Sequence, residues 1–225
     1  MQLGYATHVG HRKPKNEDTG SITQVDANGV EPVGVLAVAD GMSRPDGGEI
    51  ASDAAVTAYM RHATDALPVM DAPEVVKEGI RRANQAAHEK QREPGNDGIG
   101  TTFVTAVLTG KTAVIGNVGD SRAYHIDDDI TQLTADHAST GMFGGLTRVL
   151  GPEPTVEPDL FHEDITGTLL LCSDGVTDEL DDTTIRMHVK DTETATSAAD
   201  ALVKAALEAG GRDNITAAIA RPHEQ

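Results

Sequence analysis

Three aspartates, Asp40, Asp174 and Asp213, each stand where a short apolar run meets a turn bearing glycine or asparagine. Val35-Leu36-Ala37-Val38-Ala39 precedes Asp40, Thr168-Leu169-Leu170-Leu171-Cys172-Ser173 precedes Asp174, and Ile215-Thr216-Ala217-Ala218-Ile219 follows Asp213. Apolar runs of this length, bounded by turn residues, read as buried strands. A carboxylate carried to the end of a buried strand loses hydration, which costs several kcal/mol unless a positive partner offsets it. Acidic groups gathered from distant stretches therefore predict a bound cation. An all-oxygen ligand set selects a hard one, Mg²⁺ or Mn²⁺, and such a centre suits chemistry on phosphate.

Composition narrows the choice. With 225 residues, 38% of them hydrophobic and spread along the whole chain, one core can be filled and a single domain over residues 1–225 is expected. The net charge of -18 and pI near 4.7 exclude a nucleic-acid partner, which needs a basic footprint to displace counterions. The same negative field repels acidic phosphopeptides at low salt, so substrates with basic flanks are expected to fare better. A single cysteine, Cys172, excludes an internal disulfide framework. No apolar stretch approaches the roughly 20 residues that span a bilayer, and the N-terminal residues lack the pattern of a signal peptide. A cytoplasmic, monomeric protein without a membrane partner is the expectation.

The order of elements points to an α+β fold. Period-two and apolar patterns predict strands near 3–9, 20–26 and 33–39, an alanine-rich helix over 48–66, and a second helix after Pro73 with Val76, Ile80, Ala83 and Ala87 on one face. A Pro94-Gly95-Asn96-Asp97-Gly98 break leads into strands at 102–109, 113–117 and 122–126, turning at Asp127-Asp128-Asp129. Residues 138–167, rich in glycine and proline, read as irregular. The last third gives a strand at 168–173, helices near 181–189 and 195–209, a Gly210-Gly211 stop and a final strand at 215–220. Runs of strands separated by runs of helices fit two packed sheets flanked by helices better than a regularly alternating parallel fold.

Nine short segments then fall into a familiar order: Asn16-Glu17-Asp18, Val38-Ala39-Asp40-Gly41-Met42, Gly48-Glu49, Gly100-Thr101-Thr102, Asn117-Val118-Gly119-Asp120-Ser121-Arg122, Leu133-Thr134-Ala135-Asp136-His137, Leu146-Thr147-Arg148-Val149-Leu150-Gly151, Cys172-Ser173-Asp174-Gly175 and Gly211-Arg212-Asp213-Asn214-Ile215-Thr216. Each alone is weak, since Asp-Gly pairs mark ordinary turns, but the ordered set resembles the metal-dependent protein Ser/Thr phosphatases, the PPM or type 2C family, over nearly the whole chain. The resemblance implies a four-layer α/β/β/α sandwich of two antiparallel sheets with a binuclear site at one end. By position, Asp40 would bridge two ions, the Gly41 carbonyl would complete one shell, and Asp174 and Asp213 would hold the second ion. Glu17 and Asp18 resemble the acidic pair that acts through bound waters. Asp120 resembles the residue that, with Asp174, holds a third and weaker ion in bacterial members. Two cations roughly 3.5–4 Å apart share a carboxylate and acidify a water, and a bridging hydroxide would attack phosphoserine or phosphothreonine in line. The implied partner is a phosphorylated protein, such as the substrate of a Ser/Thr kinase.

The chain departs from the family pattern in three places. The usual phosphate-binding Arg is replaced by Lys13, with Arg12 beside it, and lysine offers a point charge rather than a bidentate fork. The sequence does not rank the two. After Asp40-Gly41-Met42, paired glycines and a His are replaced by Ser43-Arg44-Pro45-Asp46, making Arg44 an alternative phosphate clamp. Only residues 138–145 separate Asp136-His137 from Leu146-Thr147-Arg148, where the family inserts a longer flap. A shortened flap predicts a more open cleft. These departures also motivate two other readings: a non-catalytic binding or regulatory domain on the same fold, and a phosphatase serving a partner-switching regulator.

Competing phosphate chemistries fail on their own residues. Gly110-Lys111-Thr112 ends like a P-loop, but Thr105 occupies the required earlier glycine and the tripeptide sits between two strands. Cys172 lacks the following arginine that a cysteine phosphatase needs, and its acidic neighbours raise a thiol pKa.

Overall fold

In a computed structural model, residues 1–26, 32–43, 47–139 and 145–222 are described. The chain runs through β1 (Gln2–His8), β2 (Asp18–Val25), β3 (Val33–Met42), α1 (Gly48–Ala66), α2 (Ala72–Gln91), β4 (Gly100–Thr101), β5 (Phe103–Thr109), β6 (Thr112–Val118), β7 (Arg122–Ile126), β8 (Ile130–Gln132), β9 (Asp159–Asp164), β10 (Thr168–Cys172), α3 (Asp174–Thr177), α4 (Asp182–Lys190), α5 (Ala195–Ala209) and β11 (Ile215–Arg221). One sheet has the order β1-β11-β10-β7-β8. The other has the order β2-β3-β5-β6-β9, with β4 paired to β3. Every pairing is antiparallel.

The continuous apolar runs arise because the central strands are covered on both faces. Along β3, Val35, Ala37 and Ala39 pack with α1 and α2, while Leu36 and Val38 join Leu169, Leu171 and Ala218 between the sheets. Alternation persists, yet both destinations are dry, so no polar stripe marks it. α4 and α5 cover the second sheet through Ile185, Val189, Ala199 and Leu202. The result is the expected α/β/β/α sandwich, an α+β fold.

Local signals set the helices. The Asp71 side chain accepts from Glu74 N at 3.2 Å with Pro73 in the first turn of α2, and Thr194 with Ser197 forms a capping box on α5. α1 has no such cap. Its Gly48 N–H donates at 2.9 Å to Glu17 Oε1, a carboxylate delivered from before β2.

The structure adds the short β4, β8 and α3 to the elements expected from sequence, and two further differences bear on the fold. β3 continues through Met42 rather than ending at 39, which places Asp40 inside the ladder opposite Asp18. β9 lies in the stretch expected to be irregular. It is a half-exposed edge strand, Asp159-Leu160-Phe161-His162-Glu163-Asp164, whose charged residues mask its period and whose pairing with β6 decides its conformation. The segment expected to be a shortened flap is bridged at its two described ends, where Ser139 N donates to Gly145 O at 3.0 Å. Residues 140–144 lie outside the described residues.

Candidate metal centre

The site forms where β3 and the start of β2 in one sheet meet the β10 and β11 ends of the other. Asp18 and Asp40 face each other across the β2–β3 ladder, an arrangement in which like charges repel. Asp174 opens α3 directly after β10, and Asp213 lies in the turn before β11. Asp120 follows β6 and its neighbour Gly119. Asp40, Asp174, Asp213 and Asp120 line a cleft of about 230 Å³ together with Lys13, Glu17, Gly41, Met42, Ser43, Thr102 and Leu146.

The frame around the carboxylates is fixed by hydrogen bonds from several elements. Asp40 N donates to Thr102 Oγ1 at 3.0 Å, and Thr102 Oγ1 lies 2.7 Å from Ser121 Oγ. Ser173 Oγ donates to Asp18 Oδ2 at 2.7 Å while accepting from Thr216 N at 3.0 Å. Asn214, 2% exposed, donates to Val9 O and Lys15 O, both at 2.9 Å, and accepts from Glu17 N at 2.8 Å. One buried amide thus holds the Lys13 segment against the Asp213 turn. Gly41 and Gly48 are required by contact: a Cβ on Gly41 would stand 2.4 Å from Gly48 O, and one on Gly48 would stand 2.6 Å from Gly41 O.

Burial raises the carboxyl pKa values, and neighbouring acids add to it. Asp174 is pushed up to about 7 by desolvation, with the charges of Asp120, Asp178 and Asp213 acting in the same direction and a hydrogen bond with Asp40 opposing. Asp18 is raised to about 6 by desolvation, against the lowering effect of the Thr216 and Ser173 hydrogen bonds. Asp40 is held well above the usual carboxylate range by desolvation and by the charges of Asp18 and Asp174. Asp120 is raised by desolvation. Lys13 Nζ stands 2.6 Å from Asp213 Oδ1. Burial pulls the Lys13 pKa down, but its bond to Asp213 and the charges of Asp213, Asp40 and Glu17 outweigh this and raise it.

The donor set fits hard divalent ions. Asp18 Oδ1 and Asp174 Oδ1 are buried with no hydrogen-bond partner, and all the acidic donors are oxygens. Lys13 at Asp213, and Lys15 at 4.0 Å from Glu17 Oε1, are too little positive charge for the carboxylates that converge here. Among the described residues, no three acidic, histidine or cysteine side chains are already closed around one point. Asp213 is instead drawn to Lys13.

The sequence profile of the protein phosphatase 2C family matches residues 9–209. The chain belongs to that family. It is 32% identical over 240 residues to the serine/threonine phosphatase stp of Listeria welshimeri, spanning 96% of this chain and 94% of the relative. The crystal structure of a bacterial serine phosphatase superposes with a TM-score of 0.89 at 29% identity, covering 100% of this chain and 99% of that one. The catalytic domain of the phosphatase PstP in complex with two manganese ions superposes with a TM-score of 0.80 at 28% identity, covering 98% of each chain.

Within this phosphatase 2C fold, Asp40, Gly41, Asp174, Asp213, Asp120, Glu17 and Lys13 come together in the cleft, and Asp18 lies buried beneath it, opposite Asp40. Arg12 does not come with them: it is exposed and lines no part of the cleft. Arg44 lies outside the described residues. His137 is a scaffold group, its Nδ1 accepting from Gly119 N at 3.0 Å and its Nε2 3.0 Å from Asp159 Oδ2. Cys172 is fully buried, and desolvation pushes its thiol up to about 12. Thr102, Ser173 and Asn214 support the site in ways that residue patterns along the chain do not reveal, because each bonds to a segment remote in sequence. Their place within the ordered motifs is the signal that points to them.

Proposed function

We propose that this chain is a divalent-metal-dependent protein phosphatase acting on phosphoserine and phosphothreonine, with Asp40, Asp174 and Asp213 as its principal metal ligands. The observation that carries the reading is the set of buried carboxylates from separate elements with orphaned oxygens at Asp18 and Asp174. By the family resemblance, Asp40 and the Gly41 carbonyl, both lining the cleft, would be among the groups holding the ions. Asp174 and Asp213 would hold a second ion, Asp120 with Asp174 would hold a third, and Glu17 and Asp18 would act through bound waters. When bound, Mn²⁺ or Mg²⁺ supplies Lewis-acid neutralisation of the phosphoryl oxygens and a water acidified toward neutral pH.

The rest is the work of this chain's own residues. Lys13 is assigned to the phosphate, because its ammonium reaches the cleft while the Arg12 side chain does not line it. Asn214 holds the Lys13 segment in register with Asp213. Thr102 and Ser121 fix the Asp40 backbone. The proposal includes a single domain over residues 1–225, a monomer in the cytoplasm, and phosphoprotein substrates of a Ser/Thr kinase. No helix among the described residues is long and apolar enough to cross a membrane.

The test is hydrolysis of an aryl phosphate and a phosphothreonine peptide with Mn²⁺, with Mg²⁺ and with chelator, alongside Asp174→Ala. Turnover is expected only with metal, and the variant is expected to lose at least about a thousandfold in kcat/KM while remaining folded, the scale of removing a metal ligand's electrostatic work. Metals bound without turnover would favour the non-catalytic reading.

A further inference from the structure

The outer face of the α1–α2 hairpin carries a groove that the catalytic chemistry does not use. Two hollows, of about 780 Å³ and about 360 Å³, share Ala58, Arg61 and Ala86 and so form one continuous track. Its floor is small and apolar, built from Ile50, Ala54, Ala58 and Ala86. From Glu49 to Asp65 along α1 the track is roughly 24 Å long at 1.5 Å per residue. That length accommodates roughly seven residues of extended chain.

Three observations indicate what fills it. Its polar atoms are incompletely satisfied at both ends: Glu49 Oε2 near the cleft and His62 Nε2 at the far end are buried without a partner, and His62 is only 8% exposed. Gly79 lets α2 pass close to this turn of α1, since a Cβ there would stand 2.7 Å from the Tyr59 ring and 3.4 Å from His62 Cδ2. The His62 pKa is lowered by desolvation and by Arg82, so the ring presents hydrogen-bonding nitrogens rather than charge. The rim is acidic after pairing is counted. Arg82 is bonded to Glu78 at 3.0 Å and Lys90 to Glu93 at 2.9 Å, whereas no salt bridge joins Asp53, Asp65 or Glu89 to a cation among the described residues. Arg61 is the remaining basic group on the rim. Finally, the groove begins at the wall of the metal cleft. Gly48, whose N–H binds Glu17 Oε1, directly precedes Glu49, and Thr19 Oγ1 lies 3.0 Å from Ser52 Oγ on the same turn of α1.

We propose that the α1–α2 groove docks the segment flanking the phosphorylated residue of the substrate protein, selecting an extended stretch of basic and small apolar side chains. This rests on the phosphatase reading and deepens it by assigning substrate choice to a surface outside the shortened flap. Basic side chains pair with Asp53, Asp65 and Glu89, alanine-sized ones sit on the Ala54–Ala58–Ala86 floor, and the peptide backbone supplies a donor or acceptor to His62 Nε2.

The test uses phosphothreonine peptides with no extension, with a seven-residue Lys/Ala extension on either side of the phosphosite, and with Glu replacing Lys. They are assayed on the wild type and on the Asp53→Lys/Asp65→Lys double variant, both positions being exposed. One of the two basic extensions is expected to raise kcat/KM about tenfold over the bare peptide, mainly through KM. The double variant is expected to abolish that gain and leave aryl phosphate turnover unchanged. A gain that survives the charge reversal, or no gain in a wild type that hydrolyses aryl phosphate normally, would overturn the groove proposal. Fluorescence anisotropy of the same peptides decides it without turnover: tighter binding of a basic peptide to wild type than to the variant is expected, and equal binding overturns it. Loss of hydrolysis for every substrate would instead remove the phosphatase reading, leaving the anisotropy result to stand on its own.

Discussion

Asp18 and Asp174 show how single residues are placed at a cost that a bound ion would offset. Their carboxyls, raised from 3.8 to about 6 and about 7, keep their protons in the folded chain at pH values where the unfolded chain has released them. The native state therefore binds more protons between roughly pH 4 and pH 7, and folding stability falls as pH rises through that window. For protein stripped with chelator, Tm is expected to be several degrees lower at pH 8 than at pH 5. Mn²⁺ is expected to raise Tm strongly at pH 8 and little at pH 5, because ligation requires the deprotonated form. A thermal scan across pH checks this, and Asp174→Asn should flatten the slope. A Tm of the stripped protein that rises with pH would show that these groups are not buried as described.

At the level of elements, each helical layer approaches its sheet through a glycine. A Cβ on Gly4 of β1 would stand 2.1 Å from the Ala195 carbonyl at the start of α5, while one on Gly116 of β6 would meet the side chains of Ile80 at 2.4 Å and Val76 at 2.7 Å on α2. Backbone cannot rotate away, whereas Ile80 and Val76 can shift. Both Gly4→Ala and Gly116→Ala are expected to destabilise by about 1–3 kcal/mol, with Gly4→Ala the larger. Urea unfolding with metal present measures the order, and a neutral Gly4→Ala would contradict the contact. The existence of strands, though not the end of β3, was legible where burial was total. β10 and β11 stood out because both faces are dry, but β9 did not, because an edge strand with Asp159, Glu163 and Asp164 carries no apolar run.

For the molecule as a whole, stability rests on the layer between the sheets. Leu36, Val38, Leu169 and Leu171 are fully buried there, and they tie the β2–β3 side to the β10–β11 side on which the cleft depends. Leu171→Ala is expected to cost about 2–5 kcal/mol. It should do so in one cooperative transition seen equally by calorimetry and far-UV circular dichroism, as one domain requires. Two resolved transitions would separate the sheets into independent units. The charge of -18 also belongs to this scale. The proposed preference for basic substrates follows from it, and the proposed groove along α1 turns that preference into a register.

The sequence by itself determined which residues are costly to bury. Asp40, Asp174 and Asp213 are marked by adjacent runs whose apolar character is encoded residue by residue, and carboxylates so placed call for a hard cation wherever the chain carries them. It also determined α2 and α5, whose caps at Asp71 and Thr194 lie within a turn of the groups they satisfy. Only the tertiary structure decided which groups meet. That Asp18 faces Asp40 depends on strand register, that Ser173 reaches Asp18 depends on how one sheet lies on the other, and that Lys13 rather than Arg12 enters the cleft depends on the Asn214 clamp. The physical reason is one of range. Hydrophobic period and capping act over a few residues of chain, whereas the electrostatics of the cleft and of the α1–α2 groove act through space, between segments brought together only when the sandwich closes.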